Sequence, residues 1–124
     1  MAGERVLVVD DNASNRLLLE SLLDSEGYEV RTARNAEEAL QELQRLSPQV
    51  ILMNMQLPGM DGFELTRRIK GAAATRDIVV IAVTAYAMEG DEQRALDAGC
   101  DGYLSKPINT RTLSSMIDEY IYGR

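Results

Sequence analysis

The sequence predicts a doubly wound α/β domain, with a five-stranded parallel sheet in the order 2-1-3-4-5 and helices on both faces. Two observations carry this. Short apolar runs alternate with helical periodicity from one end of the 124-residue chain to the other, five of each. The runs also differ in kind. The first, third and fourth are nearly continuous apolar stretches, as strands covered on both faces must be, whereas the second alternates and so belongs near an edge. Parallel neighbours joined by right-handed crossovers then leave few other orders.

The elements follow in sequence. Arg5 to Val9 is the first strand, and it ends on acids. Asn12 to Glu26 reads as a helix, with Asn12 or Ser14 as cap and Gly27 as stop. Glu29 to Thr32 is the second strand. Asn35 caps a helix that runs through Leu46, and Ser47-Pro48 ends it. Gln49 to Asn54 is the third strand, and Leu57 to Gly62 is a turn before a helix that reaches about Lys70. Ile78 to Val83, wholly apolar, is the fourth strand. A helix from about Gly90 to Ala98 closes on Gly99. Gly102 to Ser105 is the fifth strand, and Thr110 caps a last helix to about Ile121. Its Leu113, Met116, Ile117, Tyr120 and Ile121 are spaced as a core stripe.

Composition narrows the function. The length suits one domain over residues 1–124, able to bury a core without a disulfide or metal staple. A net charge of −7 argues against nucleic acid or an anionic membrane as direct partner. One cysteine, Cys100, excludes a disulfide framework and suits a reducing cytoplasm. The chain has no histidine, which excludes His-dependent triads and His-ligated metals. No apolar run reaches the length of a membrane span, and the N-terminus lacks a signal-peptide pattern.

In sheets of this order a site lies beyond the carboxyl ends of the strands, near the switch point. The residues there are Asp10 and Asp11 after the first strand, Asn54 after the third, Thr84 after the fourth and Lys106 after the fifth. Singly, each has an ordinary reading: a helix N-terminal acid pair, a cap, a solvated loop lysine. Together they make a site. Two adjacent carboxylates repel, and Mg²⁺, which takes oxygen ligands and few protein groups, relieves that. A hydroxyl, an ammonium and a hard cation are also what a transferring phosphoryl group needs on its oxygens.

The motifs Val-Leu-Val-Val-Asp-Asp-Asn (6–12), Gln-Leu-Pro-Gly-Met-Asp-Gly (56–62), Val-Thr-Ala-Tyr-Ala (83–87) and Gly-Tyr-Leu-Ser-Lys-Pro-Ile (102–108) cover essentially the whole chain. In this order they resemble the receiver domain of two-component response regulators. The resemblance implies a flavodoxin-like fold and a phosphoprotein that takes a phosphoryl group from a phosphohistidine. It implies Asp10 and Asp11 as the Mg²⁺ pocket, with the backbone carbonyl of Gln56 as a further ligand. Thr84 and Lys106 would carry the switch, Lys106-Pro107 a cis bond, and Tyr103 the aromatic that rotates inward. The implied partners are a histidine kinase or histidine phosphotransfer protein and a downstream protein target.

One position departs from the family. Its phosphoacceptor is an aspartate at the end of the third strand, where this chain has Asn54. A neutral amide oxygen is a poor nucleophile, so phosphorylation at this position is not expected. Asn54 can still offer Mg²⁺ a carbonyl, but with one negative charge fewer the affinity should fall. Two explanations stand: a normal receiver whose acceptor was replaced by its near-isostere, or a pseudo-receiver that signals by binding alone. The intact Asp10, Asp11, Thr84 and Lys106 favour the first.

Surface and alternatives complete the reading. Leu18, Leu19, Leu22 and Leu23 fall within an arc of ~140° and are expected to form the core face of the first helix. Leu17 lies outside that arc, either a solitary exposed leucine or a docking contact for a partner helix. Tyr86 and Gln56 each lie two residues beyond a strand-end site residue, positions that in the family shape access to the phosphoryl group, and Tyr86 joins Leu17 as a docking candidate. Cys100 lacks a cationic neighbour and is expected to be an inert, half-buried thiol. An aspartate-nucleophile phosphatase would want Asp-x-Asp at the first strand, and a flavin or nucleotide carrier a glycine- or hydroxyl-rich loop there. The Asp-Asp-Asn-Ala-Ser-Asn stretch supplies neither, so a signalling module rather than an enzyme is expected. The chain ends about where a receiver ends, as a stand-alone regulator or a piece of a larger kinase or transcription factor would.

Overall fold

The computed structural model describes residues 4–45, 47–84, 90–105, 108–109 and 111–122. Strands β1 (Arg5–Val9), β2 (Glu29–Ala33), β3 (Val50–Asn54), β4 (Val79–Thr84) and β5 (Gly102–Ser105) form one sheet in the order β2-β1-β3-β4-β5. Every pairing is parallel. Helices α1 (Ala13–Ser25), α2 (Ala36–Arg45), α3 (Gly62–Gly71), α4 (Asp91–Ala98) and α5 (Leu113–Tyr122) follow the strands in turn. The fold and strand order are those expected.

The period of two along each strand divides the core into two layers. Val6, Val8, Val50, Leu52, Ile81 and Val83 face α1 and α5, where Leu19, Leu23, Leu113 and Ile117 meet them. Leu7, Val9, Ile51, Met53, Val80 and Ala82 face the other way, against Ala36 and Ala39 of α2, Phe63, Leu65 and Ile69 of α3, and Ala95 and Ala98 of α4. Strand β2, at the edge, keeps the expected alternation, with only Ala33 buried.

Element ends follow local chemistry. The Asn12 side chain caps α1 by accepting from the Asn15 N–H at 2.9 Å, and Gly27 (φ 97°) turns the chain after the helix. Asn35 likewise accepts from the Glu38 N–H at 2.9 Å, and Asp61 caps α3 by accepting from the Glu64 N–H at 2.9 Å. The expected helix ending at Leu46 is described as far as Arg45, Leu46 itself lying outside the described residues. Strand β3 begins at Val50, not Gln49, although the Gln49 N–H still donates to the Arg5 carbonyl at 2.9 Å.

Two expectations need correction. Helix α5 begins at Leu113, three residues beyond the expected cap Thr110, which lies outside the described residues. The Asn109 side chain accepts from the Arg111 N–H at 3.0 Å and its carbonyl from the Thr112 N–H at 3.3 Å, and Arg111 and Thr112 lie in a turn. Leu18, expected in the core, is 57% exposed. The inward direction of α1 is set by Leu19 and Leu23, and Leu18 lies about 120° round the helix from their mean at 100° per residue. Leu22, nearer that mean, is half-buried.

Polar ties fasten the helices. The buried Tyr28 hydroxyl donates toward Asp118 Oδ1 (2.7 Å) and the Ser114 carbonyl (3.0 Å) of α5. Burial first, then the Asp118 carboxylate, pushes its phenol well above the usual range. The Tyr122 hydroxyl donates to the buried Glu4 carboxylate. Lys70 of α3 reaches the Ile78 carbonyl and Asp101 Oδ2, both at 2.7 Å, tying the entrances to β4 and β5.

Gly62 fixes how closely the loop after β3 returns to the sheet. A Cβ there would lie 2.7 Å from the Asn54 carbonyl oxygen and 2.8 Å from the Met55 Cα, backbone atoms that cannot step aside. Gly62→Ala is therefore expected to lower unfolding free energy by about 1–3 kcal/mol, read as a lower urea midpoint at unchanged slope.

Candidate functional site

The strands are parallel, so their carboxyl ends open on one edge of the sheet. There Asp10, Asn54 and Thr84 are buried, with 3%, 5% and 1% of their surface exposed, and Asp11 and Gln56 form an exposed rim. Adjacent backbone bonds hold these ends in register: the Asp10 N–H donates to the Ala33 carbonyl (3.1 Å) and the Met55 N–H to the Val83 carbonyl (3.0 Å).

Asp10 is held by the start of α1. Its Oδ1 accepts from the Asn12 N–H at 2.9 Å and its Oδ2 from the Asn15 side-chain amide at 3.4 Å. Arg16 Nη1 donates to the Asp10 backbone carbonyl at 2.8 Å, bringing a positive charge to the rim. Asn54 bridges the middle. Its Nδ2 donates to Asp11 Oδ1 at 3.2 Å and to the Gln56 backbone carbonyl at 3.0 Å. The reverse amide orientation would set Oδ1 against two oxygens, so the neighbours dictate which end faces them. Asn54 Oδ1 is buried with no hydrogen-bond partner among the described residues. On the far side, Gln56 Nε2 donates to Thr84 Oγ1 at 3.1 Å, and the same hydroxyl lies 3.4 Å from Gln56 Oε1.

Of the residues singled out from sequence, Asp10, Asp11, Asn54, Gln56 and Thr84 thus meet in one crevice, joined by hydrogen bonds or by chain neighbourhood. Lys106 and Tyr86, and the Lys106-Pro107 bond, lie outside the described residues. Tyr103 is half-buried in β5 and packs against the α3–α4 side of the core. Burial, then Asp91 and Glu92 of α4, raises its phenol pKa. Leu17 is 65% exposed and adjoins the exposed Leu18 in the first turns of α1. Sequence reasoning missed Asn15 and Arg16, and did not anticipate the bond from the Gln56 side chain to Thr84. For the first two a signal existed: they follow Asp10 by five and six residues, in the helical turn that must pass over the strand end.

The oxygens gathered here are hard donors of the kind a divalent cation takes: Asp10 and Asp11 carboxylates, the Gln56 carbonyl and, with its amide turned, Asn54 Oδ1. Among the described residues no group of three or more acidic, histidine or cysteine side chains could hold a metal, so any cation here leans on carbonyl oxygen and water.

A flavodoxin-like α/β sheet thus carries two carboxylates, an amide and a hydroxyl at three of its strand ends. The chain belongs to the response regulator receiver domain family, whose model matches residues 6–118. It is 42% identical over 116 residues to the polar-differentiation response regulator DivK of Brucella anthropi, covering 94% of each chain. Chemotaxis protein CheY4 of Vibrio cholerae superposes with a TM-score of 0.90 at 30% identity, covering 96% of this chain and 99% of that one. The receiver domain of a sensor histidine kinase from Pseudomonas aeruginosa, solved with magnesium coordinated in its active-site cleft, gives 0.88 at 35% identity over 98% and 99%. None of the described helices is long and apolar enough to cross a membrane.

Cys100 lies at the opposite end of the sheet, before β5, and is 5% exposed rather than half-buried. Its Sγ sits 3.8 Å from Thr66 Oγ1, and burial pushes the thiol pKa up. The folded chain is expected to resist a thiol-specific reagent at mildly alkaline pH, and the urea-unfolded chain to react in full. Rapid labelling of the folded chain would contradict this burial.

Proposed function

We propose that this chain is a two-component receiver that cannot accept a phosphoryl group and that works through protein contacts in one fixed, unphosphorylated state. The observation that carries the reading is the identity and bonding of Asn54 at the end of β3, where the family places its acceptor aspartate. In a receiver, a carboxylate oxygen attacks the phosphorus of a phosphohistidine and the histidine nitrogen leaves. Asn54 has a neutral amide, with its nitrogen turned into the crevice toward Asp11 and the Gln56 carbonyl. It offers neither charge nor a lone pair of carboxylate strength.

The remaining groups keep the layout such chemistry requires. Asp10, Asp11 and the Gln56 carbonyl would hold Mg²⁺, with Asn54 able to contribute Oδ1 after its amide turns, and affinity is lower than an aspartate at 54 would confer. When bound, Mg²⁺ supplies positive charge against the carboxylates and a phosphoryl group's oxygens. The Thr84 hydroxyl and Lys106 ammonium are assigned to the same oxygens, and Tyr103 to the conformational readout. The Gln56 side chain donates to Thr84 Oγ1 across the same crevice.

Leu17, with Leu18, offers apolar surface on α1 next to the acid pair. That suits a helix of a histidine kinase or phosphotransfer protein, with Tyr86, two residues beyond Thr84 in the sequence, as a further contact. A downstream protein target reads the state, the site of action is the cytoplasm, and neither nucleic acid nor membrane is a direct partner of a chain with net charge −7.

The test is intact mass after incubation with a small-molecule phosphodonor and Mg²⁺, on this chain and on Asn54→Asp in parallel. The expected result is one added phosphoryl group on Asn54→Asp alone. Phosphoryl uptake by the unmodified chain, with deamidation excluded, overturns the proposal. If neither chain is modified, the pocket is degenerate and only binding remains.

A further inference from the structure

We propose that the Asn54 carboxamide does the structural work of a divalent cation in this crevice, so that the strand ends close without metal and Mg²⁺ enters only by displacing the amide. The inference rests on reading the crevice as a receiver's metal pocket, and not on the loss of phosphoryl acceptance.

The argument is one of donors and acceptors. The Asp11 carboxylate on the loop after β1 and the Gln56 carbonyl on the loop after β3 both present oxygen to the same space. Oxygens that face each other there repel unless a donor or cation lies between them. A carboxamide nitrogen carries two N–H groups, and both are used, one toward Asp11 Oδ1 at 3.2 Å and one toward the Gln56 carbonyl at 3.0 Å. The two oxygens that Mg²⁺ would draw together are drawn together by one NH₂ group. Asp10 has donors of its own in the Asn12 N–H and the Asn15 amide, with Arg16 on its carbonyl. Each of the pocket's three prospective ligands is therefore already bonded to nitrogen.

An aspartate at position 54 reverses this. It keeps the shape but replaces the NH₂ by an oxygen, removing both donors and adding a charge beside Asp10 and Asp11. Asp11 and the Gln56 carbonyl then lose the donor they share, and a cation placed between them restores the closure. The unpartnered Asn54 Oδ1 points the same way. The side chain has given up satisfaction of its oxygen to keep both N–H bonds, since the acceptors on the nitrogen side outnumber the donors near its oxygen.

The measurement is thermal unfolding of this chain and of Asn54→Asp, in chelator and in millimolar Mg²⁺ at matched ionic strength. The unmodified chain is expected to unfold at the same temperature in both. Asn54→Asp is expected to unfold several degrees lower in chelator and to recover by about 3–8 °C with Mg²⁺. Equal Mg²⁺ stabilisation of the two chains overturns the proposal, as does an Asn54→Asp chain as stable in chelator as the original. Should Asn54→Asp fail to fold, the side-chain NH₂ signals of Asn54 in the unmodified chain decide. Slow solvent exchange of both protons and no shift with Mg²⁺ support the proposal, and fast exchange or Mg²⁺-dependent shifts overturn it. A chain that takes up a phosphoryl group yet ignores Mg²⁺ in unfolding would sink the functional reading and leave this one standing.

Discussion

A parallel sheet covered on both faces leaves its central strands nowhere to place a polar side chain except at their ends. Strands β1, β3 and β4 meet that condition: Val6 to Val9, Val50 to Met53 and Val80 to Val83 are buried without a break. The next residues, Asp10, Asn54 and Thr84, are the first positions in each strand where a polar group can reach solvent or another polar group. Because the strands run the same way, those three positions fall on one edge. The site is thus a consequence of the core. Moving a strand by one residue would exchange its two faces and carry its terminal polar group away from the crevice.

This dependence explains what could be read from the sequence. Strand order was legible because β1, β3 and β4 are continuous apolar runs and β2 alternates, a difference that burial on two faces or one imposes. The strand-end residues were legible for the same reason. Features set by tertiary reach were not. Leu18 belongs to the apolar arc of α1 by angle, but the sheet covers only the side that Leu19 and Leu23 define, and an arc alone cannot say where its covered part stops. The start of α5 at Leu113 was hidden because the turn that precedes it is built on a local bond to the Asn109 side chain, which helical periodicity does not register. The bond from the Gln56 side chain to Thr84 depends on how the loop after β3 folds back, which Gly62 permits through a backbone approach no sequence pattern displays.

The hydrogen bonds of the crevice form a connected series across three strands. Arg16 and Asn15 fasten the end of β1, Asn54 joins the loop after β1 to that after β3, and Gln56 joins the loop after β3 to the end of β4. Neutral bonds of this kind contribute about 1 kcal/mol each, and their value rises when a partner would otherwise be buried alone. Thr84 is 1% exposed and Asn54 5%, so for both the cost of an unmet partner exceeds the gain from meeting it. That asymmetry holds the three strand ends together.

The same asymmetry makes the exchange of one atom so consequential. Aspartate and asparagine fill the same space, so the core, the strand register and the approach of Gly62 are indifferent to which stands at position 54. The crevice is not indifferent, because it counts donors and acceptors. With a carboxylate, the two acceptors that the Asn54 amide serves would lose their donor. With the amide, two donors meet two acceptors. On the proposed reading, nucleophile and metal demand are therefore not separate properties: an aspartate at the end of β3 would bring both and an asparagine forgoes both, while the packing of the core is the same for either.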